Sequence, residues 1–294
     1  MDDFLKAGKI TGEAREYARS IIKEGMNIYE FVMKIEEKIR KLGAKLAFPV
    51  NISVDDEAAH NTAEFEGEET FQKGQVVKVD IGAQVNGYVG DTAFTKEIAA
   101  HNYKDLIKST EEALKNAIDC IKPNVEVGRI GAIIEETIKS YGFNPVRNLG
   151  GHGVGRYDLH QGLFIPNYNN FNPHRLSLNQ TIAIEPFATT GDGLVADSKT
   201  VRIYALANPK PVRMRSSRKI MNYIKEEFRT LPFADYHLYK KFSRAEVSIA
   251  LREMTANGSL QSFPVLKEVS KGIVSQAEHT LIVRDEPVIT TFYK

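Results

Sequence analysis

Apolar positions along the chain follow two rhythms, and the change from one to the other marks out the elements. From about Phe4 to Lys23 the spacing is helical. After Gly25 a second helix is expected, opened by Asn27 with Glu30 in the manner of a capping box. Ile28, Phe31, Val32, Ile35, Ile39 and Leu42 form one stripe of that helix, and Gly43 ends it. An apolar segment from Leu46 to Val54, broken by Pro49, runs into acidic residues and Ala58-Ala59-His60-Asn61. The period then shortens. Lys78 to Thr95 reads as strand, turn and strand, with Asn86-Gly87 supplying the positive φ angles of a two-residue hairpin, so that Val85 pairs with Tyr88 and Gly82 with Asp91. A second helix pair follows. Leu106, Ile107, Leu114, Ala117, Ile118 and Ile121 mark its first member, ending before Pro123, and Ile130, Ile133, Ile134 and Ile138 its second, ending at Gly142. Strands are expected over Thr181 to Phe187, where Pro186 suggests a strand end or edge, and over Gly272 to Val283. The pattern predicts an α/β (α+β) chain in which a helix pair and its strands occur twice.

Residues 206–265 differ in character. A helix is expected from about Ser217 to Phe228, and another opens with Ser243-Arg244-Ala245-Glu246 and uses Val247, Leu251 and Met254. This stretch reads as a small helical, winged-helix-like insertion in a larger domain made of residues 1–205 and 266–294. It is locally basic, with Arg213, Arg215, Arg218, Lys219, Lys240, Lys241 and Arg244. Such a run is more often a solvated face than a nucleic-acid contact.

Against this pattern, several polar residues stand where apolar ones belong. Asp80 lies among valine and isoleucine, and the hairpin register turns it to the same face as Asp91. Glu185 interrupts one apolar run, and Glu278 sits at the centre of another. His152 lies in Asn148-Leu149-Gly150-Gly151-His152-Gly153-Val154-Gly155, where four glycines let backbone crowd the imidazole. A phosphate loop is disfavoured there, because no Lys-Ser/Thr follows the glycines. Any one acid could be a core residue paired with an arginine, and the two aspartates alone could be solvated on a surface hairpin. Four carboxylates gathered without compensation would repel, and most would have to bind protons. Two divalent cations carry the charge that matches them, and the set suits manganese, iron or cobalt, with zinc also possible. Such ions activate water, so hydrolysis of a carbonyl or phosphoryl compound is expected.

Composition narrows the setting. The 294 residues, 42% of them hydrophobic, allow one sizeable domain plus an insertion. With 39 basic against 38 acidic residues, no global field calls for nucleic acid or membrane. Cys120 is the single cysteine and reads as a small filler on a helix; it excludes an intramolecular disulfide and fits a reducing compartment. The start Met1-Asp2-Asp3-Phe4-Leu5 lacks the features of a secretion signal, and no apolar run reaches membrane-spanning length, so a cytoplasmic protein is expected.

The stretches Val79-Asp80-Ile81-Gly82, Gly90-Asp91-Thr92-Ala93-Phe94, Gly151-His152-Gly153, Ile184-Glu185-Pro186-Phe187 and Gln276-Ala277-Glu278-His279-Thr280 resemble the ligand motifs of methionine aminopeptidases. Ala47-Phe48-Pro49 followed by Ala58-Ala59-His60, the spacing of His152 and His160, and the insertion before Glu278 resemble the type 2 branch, and the likeness runs in order over nearly the whole chain. The resemblance implies a pita-bread fold with pseudo-twofold halves closing over two metal ions. It implies that Asp80 chelates one metal, that His152 and Glu185 bind the other, and that Asp91 and Glu278 bridge both. Glu185 would also shuttle a proton, while His60 and His160 would hold the scissile peptide and stabilise charge on its carbonyl oxygen. Phe48, Leu159 and Phe187 match positions lining the family's methionine pocket, ordinary core packing being the alternative. The substrate would be the N-terminal methionine of peptides and nascent chains, handled by a monomer, with ribosome contact through the basic insertion as a secondary possibility. The stretch Pro49 to Glu57 departs from the cysteine-containing patterns of some relatives. Competing readings are a prolidase or Xaa-Pro peptidase, which would carry a long N-terminal domain, a creatinase-like amidinohydrolase, which would not need the metal ligands, and a binding protein of the same fold that has lost them.

Overall fold

The computed structural model describes residues 2–292. Helices α1 (Asp2–Ile21) and α2 (Ile28–Lys41) cover one antiparallel sheet, whose centre is the hairpin of strands Val76–Val85 and Tyr88–Glu97. The expected register holds: Val85 faces Tyr88 and Gly82 faces Asp91, with Asn86 and Gly87 at φ 52° and 88°. Strands Lys45–Leu46 and Asn51–Val54 pair with the hairpin's other edge. The stripe of α2 packs Phe31, Val32, Ile35 and Ile39 onto Ile52, Val77, Val79 and Phe94. Of the expected capping box at its start one arm forms, the Asn27 side chain accepting from Glu30 N at 2.9 Å.

The second half repeats the theme. Helices α3 (Lys104–Cys120) and α4 (Val127–Ser140) pack Leu114, Ile118, Ile130 and Ile134 against Ile165, Ile182, Ile184 and Leu281. The strands beneath them form a five-stranded sheet (Val288–Ile289, His279–Ile282, Thr181–Ile184, Gly150–Gly153, Phe164–Pro166) and a three-stranded one (Val274–Gln276, Phe187–Thr189, Asn144–Pro145).

Two expectations need correction here. Thr181 to Phe187 and Gly272 to Val283 are not continuous strands. The first breaks after Ile184 and resumes at Phe187; the second breaks after Gln276 and resumes at His279. Each chain crosses from one sheet to the other at its break, and the breaks lie opposite, since Ile184 pairs with His279 and Phe187 with Gln276. Glu278 therefore sits at a crossover and not mid-strand. Pro186 suits that position, because it has no N–H to leave unpaired and its carbonyl accepts from Ala277 N at 3.2 Å.

A fourth sheet pairs Val195–Leu206 with Leu260–Glu268 along most of its length, with Phe233–Ala234 and Glu57–Ala59 at its edges. Helices α5 (Arg215–Glu227), α6 (Asp235–Tyr239) and α7 (Arg244–Ala256) enclose a core of their own around Ile220, Ile224, Phe233, Val247 and Met254. The capping box expected at Ser243 and Glu246 is present. No helix among the described residues is long and apolar enough to cross a membrane.

Candidate metal centre

Where the halves meet, the free edge of the hairpin is stitched to the crossover segment by threonine hydroxyls. Thr92 Oγ1 donates to Glu278 O at 2.7 Å, and Thr95 Oγ1 donates to Gln276 O at 2.7 Å while accepting from Gln276 N at 2.8 Å. Thr280 Oγ1 donates to Asp91 O at 2.7 Å and accepts from Asp91 N at 2.8 Å. These bonds fix Glu278 beside the aspartate hairpin. Glu185, at the opposing crossover, completes a group of carboxylates that Asp80 and Asp91 enter from the hairpin face. Gly82 is required on that hairpin because a Cβ there would lie 2.2 Å from the Phe48 ring, and Gly151 because a Cβ would meet Ala183 O at 2.3 Å.

His152 supplies the nitrogen. Its Nδ1 is 3.1 Å from Gly153 O, an acceptor only, so Nδ1 carries the proton and Nε2 presents a lone pair. That lone pair faces Asp91 Oδ2 at 3.7 Å and Glu185 Oε1 at 3.6 Å. A proton does not relieve this opposition, because burial, with His160 adding to it, pulls the His152 pKa down to about 3. Ligand atoms of Asp91, His152 and Glu278 all lie within 4.8 Å of one another.

The carboxylates tell the same story. Asp80 Oδ1, Asp91 Oδ1 and both Glu278 oxygens are buried without a hydrogen-bond partner. Burial raises Asp80 to about 7. Burial, and then the neighbouring carboxylates, raise Asp91, Glu185 and Glu278 well above the ordinary range. Orphaned oxygens around a lone-pair nitrogen are what a divalent cation satisfies, and the donor set of oxygens with one imidazole fits manganese, iron, cobalt or zinc.

A cavity of about 590 Å³ opens over this group, and all the residues singled out from the sequence line it: Asp80, Asp91, His152, Glu185, Glu278, His60, His160, Phe48, Leu159 and Phe187. His60, at φ 63°, sets its ring 5.5 Å from that of Phe263, and its buried Nδ1 has no partner. Burial, with His160 second, lowers its pKa to about 4, so the ring is neutral near pH 7. His160 stands at the mouth, its ring edge-on to His152 at 4.5 Å. Burial lowers its pKa as well.

Three lining residues carried no assigned role in the sequence reading. Gln276 donates from Nε2 to Glu185 Oε2 at 3.4 Å, and the signal for it was an amide two positions before Glu278 in an apolar run. Asn51 begins a strand directly opposite Asp80. Asp197 lies exposed on the strand Val195–Leu206, near enough to His60 to favour its protonated form. Nothing in the periodicity distinguished these last two from ordinary polar positions.

Known proteins share this architecture. A methionine aminopeptidase of Pyrococcus abyssi is 41% identical over 292 residues, 99% of each chain. The crystal structure of a methionine aminopeptidase from Thermotoga maritima superposes with a TM-score of 0.73 at 26% identity, covering 99% of this chain and 96% of that one. The structure of a thermophilic Arx1 matches with a TM-score of 0.85 at 15% identity, over 98% of this chain and 90% of that one, a likeness of fold alone. The two helix pairs, their sheets and the acids between them are thus the pita-bread arrangement. The model of metallopeptidase family M24 matches residues 2–208, well over half of the sequence, and this chain belongs to that family.

Proposed function

We propose that the chain is a type 2 methionine aminopeptidase, releasing N-terminal methionine from peptides and nascent proteins. The observation that carries this reading is the convergence of four carboxylates and one lone-pair imidazole in a cavity that also holds His60, His160 and an apolar wall. Whole-length identity of about two residues in five to archaeal methionine aminopeptidases supports the substrate. The spacing from His152 to His160 and the helical segment before Glu278 support the type 2 assignment.

Asp80, Asp91, His152, Glu185 and Glu278 would hold two divalent ions, whose four positive charges equal the charge of four ionised carboxylates. Bound there, such ions acidify water and polarise a carbonyl group. The rest falls to the protein. Glu185, steadied by Gln276, takes a proton from the attacking water and delivers it to the leaving amine. His60, with an unpartnered nitrogen, and His160, at the cavity mouth, hold the scissile peptide and steady the charge that develops on its carbonyl oxygen. Phe48 and Phe187, both buried, and the half-buried Leu159 offer the methionine side chain an apolar wall. The basic segment 206–265 carries eleven basic and five acidic residues and is suited to ribosome contact as a secondary property. The single cysteine accords with a reducing, cytoplasmic compartment, and the enzyme is proposed to act as a monomer.

The test is to strip the protein with a chelator, reload it with manganese, iron or cobalt, and offer Met-Ala, Met-Gly and Xaa-Pro peptides. Release of methionine with little action on Xaa-Pro bonds is expected. Inactivity with every metal would remove the enzymatic reading, and a preference for Xaa-Pro would move the chain to the prolidases.

A further inference from the structure

Asn51 stands on the cavity wall beside the metal centre with an oxygen that nothing in the protein satisfies. Its residue is 7% exposed, and it pairs with Asp80 across the antiparallel ladder, so the two side chains share a face. Asn51 Nδ2 donates to Pro49 O at 2.9 Å. This bond fixes the orientation of the amide, because the flipped form would set two oxygens against each other. Oδ1 is thereby held as a pure acceptor, buried and without a partner, in a residue lining the cavity. Leaving such a group unpaired is costly, so a donor is expected to meet it in the working enzyme.

Which donor fits follows from the chemistry of the proposed substrate. A peptide entering amino end first brings an α-amine with two or three N–H groups and, one residue on, a single peptide N–H. Asn51 lies on the wall of Asp80, deep in the site, and on the chain side where Ile52 N donates to Asn61 O, next to His60. His60 lies beyond it, in reach of the next residue of such a peptide. An acceptor at the Asp80 end of the cavity matches the first of these donors, the α-amine. The methionine thioether supplies no N–H for it.

Resting on the aminopeptidase reading, we propose that Asn51 Oδ1 accepts a hydrogen bond from the substrate's free α-amine, and so makes the site require an unblocked amino terminus. The metal centre alone would favour any donor ligand; a neutral amide oxygen fixed at this point selects for N–H.

Affinity measured by calorimetry on the metal-loaded protein tests this without turnover. The probes are L-methionine and 4-(methylthio)butanoate, which differ only by the amine. Wild type should prefer methionine, and Asn51→Ala should reduce that preference about tenfold, the worth of a hydrogen bond to a charged group. Asn51→Leu, which keeps the volume, should do the same and serves if the alanine variant does not fold. Metal content and the affinity for 4-(methylthio)butanoate should be unchanged in both. A preference within twofold of wild type would overturn the proposal. So would equal weakening of both probes, which makes Asn51 part of the thioether pocket, or loss of metal, which makes it a support of the ligands. Failure of wild type itself to bind methionine would instead count against the aminopeptidase reading.

Discussion

At the scale of single residues, the position of His152 Nε2 between two carboxylate oxygens makes occupancy of the centre sensitive to small changes. Asp91→Asn or His152→Ala should lower bound metal by tenfold or more in affinity, read by elemental analysis after dialysis. His60→Ala should retain the metal while lowering turnover about 10²-fold or more. An emptied site in that variant would reassign His60 from substrate to ligand. The raised carboxyl pKa values have a definite sign. A carboxyl group whose pKa is higher in the folded protein stabilises it fully below the unfolded value near 4, and that stability is lost as pH climbs through the folded value. For Asp80 the upper end of the window is about 7, and for Asp91, Glu185 and Glu278 it lies well above their ordinary values. The rise in Tm on adding manganese should therefore grow from pH 5 to pH 8. A pH-independent rise would show that the acids are not held as the structure has them. Asp80 and Asp91 were legible as neighbours because strand alternation and the Asn86-Gly87 turn fix the register by themselves. Asn51 and Gln276 were not, since an amide in a strand reads the same whether it faces water or a cavity.

Among elements, α6 is tied to α2 by a buried carboxylate. Glu36, fully buried on α2, accepts from Tyr236 Oη at 2.5 Å and bonds His237 Nε2 at 2.9 Å, while Arg40 Nη2 reaches its other oxygen at 2.9 Å. Burial alone would raise the Glu36 pKa, yet His237, Tyr236 and Arg40 together hold it at about 2. The stability so gained is present above the unfolded value near 4 and disappears as pH falls toward 2. Tyr236→Phe should cost about 1.5–3 kcal/mol in urea unfolding, as expected for a bond to a charged acceptor. An unchanged midpoint would mean that the remaining partners suffice. The helices themselves were readable because their apolar stripes run for several turns and end at Gly43 and Gly142. The crossovers at Glu185 and Glu278 were not, apart from the hint of Pro186, because a run of apolar residues carries no mark of which sheet it joins.

For the whole molecule, charge is unevenly divided. Residues 206–265 carry a net +6 while the chain as a whole carries +1, leaving the remainder acidic. If the segment meets ribosomes, co-sedimentation should weaken steeply with added salt, and association indifferent to salt would rule out an electrostatic contact. The twofold repetition of helix pair and strands was visible in the periodicity. The fourth sheet was not, because Glu57–Ala59 joins Leu260–Glu268 across some 200 residues of chain, a pairing that no local pattern announces.

The opposed crossovers also bear on how the protein breathes. Since both glutamates stand at the seam, a cation gripping them clamps the two sheets to each other as a rivet clamps overlapping plates. Amides around 184–187 and 276–279 should accordingly exchange with deuterium as one unit, and slow together when the ions are added, while those of α7 keep their pace.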